Sequence, residues 1–98
     1  MVRDRHSILQ ALHQDGERLR KLGVRKLALF GSAVRGEVRG DSDLDFLIDL
    51  DPKSFDAYMD VKEYLESRFG CPVDLVLRSA LKPELRDEIL REAVDASL

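Results

Sequence analysis

Apolar residues recur at helical spacing early in the chain. Ile8, Leu12, Leu19 and Leu22 fall on one side of a helix predicted over residues 4–22, and Gly23 ends the pattern. Residues 25–30 (Arg-Lys-Leu-Ala-Leu-Phe) then read as a short buried strand. Gly31 and Ser32 open a helical turn, Ala33-Val34-Arg35, which Gly36 closes, and residues 37–42 form a loop. Polar and apolar positions alternate through residues 43–50, the pattern of a second strand. Asp51-Pro52 breaks it. Phe55, Tyr58, Val61, Leu65 and Phe69 mark one face of a helix over 54–69, with Gly70 as its cap. Residues 72–77 give a third strand. Residues 83–95, opened by Pro83, give a last helix with Leu85, Ile89 and Ala93 on one side. The order α-β-turn-β-α-β-α predicts an α/β or α+β fold: a small sheet of about three strands packed with helices.

The 98 residues suffice for one domain, 1–98, with no room for a second substrate domain. With 44% hydrophobic and 36% charged residues, the chain reads as a folded soluble protein. No apolar run approaches the roughly 20 residues of a membrane helix, and the N-terminus lacks an apolar signal core. A cytoplasmic protein without membrane contact is expected. Cys71 stands alone, so no intrachain disulfide can form. The net charge of −3 argues against direct nucleic-acid binding, which needs a basic surface. Asn, Thr and Trp are absent, a composition that hints at a thermophilic source.

The chemistry concentrates between Phe30 and Asp49. Asp43 and Asp45 share one strand face, while Leu44, Phe46 and Ile48 suit a core. Two carboxylates so close repel unless a cation lies between them. Their hard oxygen atoms suit Mg²⁺, which commonly takes one or two carboxylates plus substrate phosphates. Taken alone, Asp-x-Asp also describes many solvated loops and edge strands. Gly31-Ser32 adds weight to the metal reading. A glycine directly after a buried strand lets backbone approach a ligand, a helix start presents free N–H groups to an anion, and Ser32 adds a hydroxyl. Arg35, one turn on, can reach the same anion with its guanidinium. Asp74 interrupts the apolar run Val73-Asp74-Leu75-Val76-Leu77, where a charge is costly unless solvated, paired or metal-bound.

Gly31-Ser32-x-x-Arg35-Gly36, then Ser42-Asp43-x-Asp45, then an aspartate on a later strand, resembles the nucleotidyltransferase superfamily that includes DNA polymerase β. The short chain resembles its minimal branch, and the likeness covers roughly residues 5–95. The resemblance implies the polymerase β-like fold and an enzyme that moves a nucleoside monophosphate, AMP from ATP, to a hydroxyl. It implies that Gly31 and Ser32 hold the β- and γ-phosphates. It also implies that Asp43 and Asp45 bind two Mg²⁺ ions, and that Asp74 binds the second ion and helps deprotonate the attacking hydroxyl. Arg35 would touch phosphate, and Ser42 would shape the loop of the same nucleotide site. Val34 departs from the usual small residue, which removes no ligand. The minimal branch commonly pairs with a HEPN-domain toxin, so the implied acceptor is a tyrosine of that partner.

Two other readings remain open from sequence. One is a non-catalytic antitoxin that masks a HEPN partner by contact. The other is a small-molecule nucleotidyltransferase, which needs a larger acceptor pocket. A Walker-type site is absent, because no Gly-x-x-x-x-Gly-Lys-Ser/Thr occurs. His6 and His13 read as surface residues of the first helix, and Tyr58 and Tyr64 as packing residues. Leu9, Leu22, Leu81, Leu90 and Val94 exceed what one small core is expected to bury; any surplus would mark a partner surface or a homo-oligomer interface.

Overall fold

A computed structural model describes residues 4–31, 34, 43–96 and 98. Its helices are α1 (Arg5–Gln14), α2 (Gly16–Lys21), α3 (Phe55–Phe69) and α4 (Pro83–Glu92). Its strands are β1 (Val24–Phe30), β2 (Leu44–Leu50), β3 (Val73–Leu77) and β4 (Val94–Asp95), arranged β3-β2-β1-β4. β1 runs antiparallel to β2 and β4, whereas β2 and β3 run parallel through the α3 crossover. The mixed α+β sheet matches the expected class, with one more strand than the sequence suggested.

One face of the sheet carries the core. Leu27 and Leu29 of β1, and Leu44, Phe46 and Ile48 of β2, are almost fully buried against Ile8, Leu12, Leu19, Val61 and Leu65 of the helices. Phe46 stacks on Phe69, with ring centroids 6.1 Å apart. Cys71, just before β3, is buried in the same cluster, as cysteine outside a disulfide usually is. The alternation of β2 therefore turns its aspartates to the other face.

α3 begins where Ser54 accepts a hydrogen bond from the Ala57 N–H, and ends at Gly70 in the left-handed region. It also guards the sheet. β3 is an edge strand, and edge strands expose unpaired backbone groups. The Tyr58 hydroxyl donates to the Leu75 carbonyl at 2.6 Å, and the Glu66 carboxylate accepts from the Val73 N–H at 3.0 Å. Both backbone groups lie on alternate residues that face away from β2. On the far side of α3, Arg18 stacks over the Tyr64 ring, and Arg68 Nε lies 2.9 Å from Asp15. Burial, reinforced by a hydrogen bond to Asp15, pushes the Tyr64 phenol above its ordinary range.

Four expectations need correction. The single helix over 4–22 is two helices, broken at Asp15, which ends α1 and begins α2. Gly16 is buried there, and a Cβ on it would stand 2.9 Å from the Leu98 carbonyl carbon, a long-range contact no local pattern encodes. Phe55, on the first turn of α3, is 71% exposed rather than packed with the rest of its helical face. The last helix stops at Glu92: Ala93 turns extended, and Val94–Asp95 pairs with β1 as a fourth strand. Leu85 on that helix is 49% exposed. Leu9, Leu22, Leu81, Leu90 and Val94 are each half-buried, so the surplus apolar surface falls on Phe55 and Leu85 instead. Among the described residues, no helix is long and apolar enough to cross a membrane.

Candidate active site

The site is built on the sheet face opposite the core. In the parallel β2–β3 ladder, Asp45 pairs directly with Asp74. Residues opposite each other in neighbouring strands point to the same side, and the strands stand about 4.8 Å apart. The two carboxylates are thus neighbours on one face. Asp45 is half-buried and Asp74 exposed. Asp43, also exposed, immediately precedes β2, and strand alternation gives it the side of Asp45.

β1 closes the row. Phe30 pairs with Asp45 across the antiparallel ladder, so Phe30, Asp45 and Asp74 lie abreast. The next residue, Gly31, has φ +78°, a conformation that L side chains rarely adopt. Its missing side chain is also required by space. A Cβ there would collide with Asp45 Oδ2 and sit 3.1 Å from Asp45 Cγ. The backbone corner after β1 therefore lies directly against the Asp45 carboxylate. The Val34 N–H donates to the Gly31 carbonyl at 3.1 Å, closing the turn expected there. Ser32, Arg35 and Ser42 fall outside the described residues.

The donor chemistry fits a divalent cation. Adjacent aspartates supply hard oxygen atoms, and a glycine corner beside them leaves backbone open to an anion. Among the described residues, no three His, Cys, Asp or Glu side chains are already gathered into a metal cage. His6 and His13 are exposed on α1.

Sequence reasoning missed the rest of the face. Behind the acidic row, Ala28 pairs with Leu47 and Leu47 with Val76. Behind that, Lys26 pairs with Asp49. α4 crosses this far end on its way from the β3 edge to the β1 edge, so Leu90 and Ala93 share a recess with Ala28 and Leu47. The alternation of β2 signalled that Asp49 shares the face of Asp45. Nothing local signalled that α4 would cover it.

A profile of the nucleotidyltransferase domain family matches residues 13–96. The protein adenylyltransferase MntA of Thermococcus cleftensis is 44% identical over 75 residues, 76% of each chain. A solved structure assigned as a minimal nucleotidyltransferase superposes with a TM-score of 0.73 at 35% identity, covering 88% of this chain and 93% of that one. A chain from the complex of tri-AMPylated Shewanella oneidensis HEPN toxin with MNT antitoxin has the same fold, with a TM-score of 0.63 at 18% identity, covering 91% and 71%. The match spans the strand pair that carries Asp45 and Asp74 together with the Gly31 corner, and the chain belongs to the nucleotidyltransferase domain family, as an enzyme of its minimal type.

Proposed function

We propose that this enzyme transfers AMP from ATP to a tyrosine hydroxyl of a HEPN-domain toxin and so acts as its antitoxin. The observation that carries the reading is the direct pairing of Asp45 with Asp74 beside the Gly31 corner. The related Thermococcus protein is named a protein adenylyltransferase, and the Shewanella complex holds an AMPylated HEPN toxin, which supports AMP as the group and a HEPN protein as the acceptor.

In this reading, Asp43, Asp45 and Asp74 hold two Mg²⁺ ions. When bound, such ions neutralise the triphosphate and favour ionisation of the attacking hydroxyl. Gly31 lets the backbone approach the β- and γ-phosphates, with the Ser32 hydroxyl and Arg35 beside it and Ser42 shaping the loop. Asp74, exposed on the edge strand, is open to a protein acceptor and takes the hydroxyl proton. The acceptor oxygen bonds to the α-phosphorus, the bond to the bridging oxygen breaks, and pyrophosphate leaves. Positioning and electrostatics carry most of such a transfer. Small domains with little room for an acceptor pocket suit an acceptor that brings its own surface.

The test is incubation of the chain with a HEPN-domain partner, Mg²⁺ and ATP labelled at the α-phosphate. Label is expected on a partner tyrosine, and replacing that tyrosine with Phe should remove it. An unlabelled partner that is nevertheless inhibited would instead establish masking by contact.

A further inference from the structure

Asp74 is the less secure member of the carboxylate pair. Asp45 sits on β2, which has a paired strand on each side, whereas β3 is five residues long and pairs with β2 alone. Segments with few contacts open most easily. A group that takes part in a transfer must nevertheless keep its place, since a misplacement of about 1 Å can cost on the order of 100-fold in rate. The sheet holds Asp74 from one side only.

Two side chains of α3 hold it from the other. The Glu66 carboxylate accepts from the Val73 N–H at 3.0 Å, and the Tyr58 hydroxyl donates to the Leu75 carbonyl at 2.6 Å. These backbone groups belong to the residues immediately before and after Asp74. Val73 and Leu75 are buried and Asp74 between them is exposed, so the clamp grips the backbone and leaves the carboxylate open to the site. Both anchors stand on a 15-residue helix that is itself seated by the buried Val61, Leu65 and Phe69. Lys62, one turn before Glu66, lies 3.9 Å from its carboxylate. The Tyr58 ring packs against the core, which a phenylalanine would do equally well, so packing alone does not call for the hydroxyl. We propose that Tyr58 and Glu66 are positioning residues for nucleotidyl transfer: by gripping Leu75 and Val73, they fix Asp74 beside Asp45. The inference rests on the proposed role of Asp74 as a metal ligand.

A double-substitution cycle tests it. Calorimetry measures Mn²⁺ binding to the chain in the presence of a non-hydrolysable ATP analogue, and AMP transfer to a HEPN-domain partner is assayed alongside. Tyr58→Phe and Glu66→Ala should each weaken Mn²⁺ binding and lower kcat by about tenfold, with KM for ATP little changed, at a temperature where circular dichroism shows both folded. Glu66→Gln, whose amide oxygen can still accept from the Val73 N–H, should restore most of the loss. In an Asp74→Asn background, Tyr58→Phe should weaken Mn²⁺ binding no further, because the group it positions is already gone. Losses that simply add in the double variant overturn the proposal. So do folded variants that lose thermal stability while Mn²⁺ affinity and kcat stay intact, and so does a Glu66→Gln variant as impaired as Glu66→Ala. Failure of the underlying reading has another signature: Asp74→Asn by itself leaves Mn²⁺ affinity unchanged, and the positioning role then falls with it.

Discussion

The two faces of the one sheet obey opposite rules. On the face packed against α1, α2 and α3, Leu27, Leu29, Leu44, Phe46 and Ile48 are at most 1% exposed and stabilise the fold by excluding water. On the other, Asp45 and Asp74 stand side by side as like charges, which a fold selected for stability alone would avoid. Successive residues of β2 serve the two purposes in turn, with Leu44 and Phe46 inward and Asp45 between them outward. Stability and chemistry are therefore carried by the same seven-residue strand and are separable by single substitutions.

The largest effects should fall on one face at a time. Asp45→Asn and Asp74→Asn should each lower AMP transfer on the order of 10³-fold, as loss of a preorganised charged group in a polar active site does. Asp74→Asn should not lower the melting temperature, because it relieves like-charge repulsion. A transfer assay run beside thermal unfolding reads both. Phe46→Ala is the converse. It removes a buried ring stacked on Phe69 and should cost about 3–5 kcal/mol in denaturant titration. A cost under about 1 kcal/mol would mean that the core face is not packed as described.

Gly31→Ala tests the seam between the faces. The residue needs φ +78°, and its new methyl would meet Asp45. It should destabilise the protein by about 1 kcal/mol or more and displace the Asp45 carboxylate, so transfer should fall further than stability explains. Equal activity in an equally stable variant would show that the corner has no role in holding the carboxylate.

The smallest effect lies far from the site. The Asp4 carboxylate caps α1 by accepting from the Ser7 N–H at 2.7 Å, and this hydrogen bond holds its pKa below the ordinary carboxylate value. A depressed carboxyl stabilises the fold above its unfolded value, and the contribution is lost as pH falls through the lowered value. Wild type should therefore exceed Asp4→Ala in melting temperature at neutral pH, with the gap closing in that acidic window. A gap that widens on acidification would contradict the assigned cap.

How much was legible follows the same division. The acidic row could be read because alternation in β2 and the charge within Val-Asp-Leu-Val are local signals. Their meeting required the parallel register of β2 and β3, which no local pattern supplies. Leu98 lies close against Gly16 at the Asp15–Gly16 break, and β4 pairs with the far edge of the sheet, both long-range contacts. The apolar period of 54–69 correctly found the buried Val61, Leu65 and Phe69, but it could not show that Phe55 on the first turn stays exposed. Gly31 was expected to open backbone to a ligand. The structure adds that its lack of a side chain also makes room for Asp45.

The central claim is that Asp45 and Asp74 act together on one metal–triphosphate complex at the Gly31 corner. Crystals grown with Mn²⁺ and a non-hydrolysable ATP analogue test it directly through the anomalous signal of the metal. The account predicts manganese bound by both Asp45 and Asp74, with the β- and γ-phosphates against the Gly31 backbone. Manganese and triphosphate bound elsewhere, or a metal that Asp74 does not touch, would contradict it.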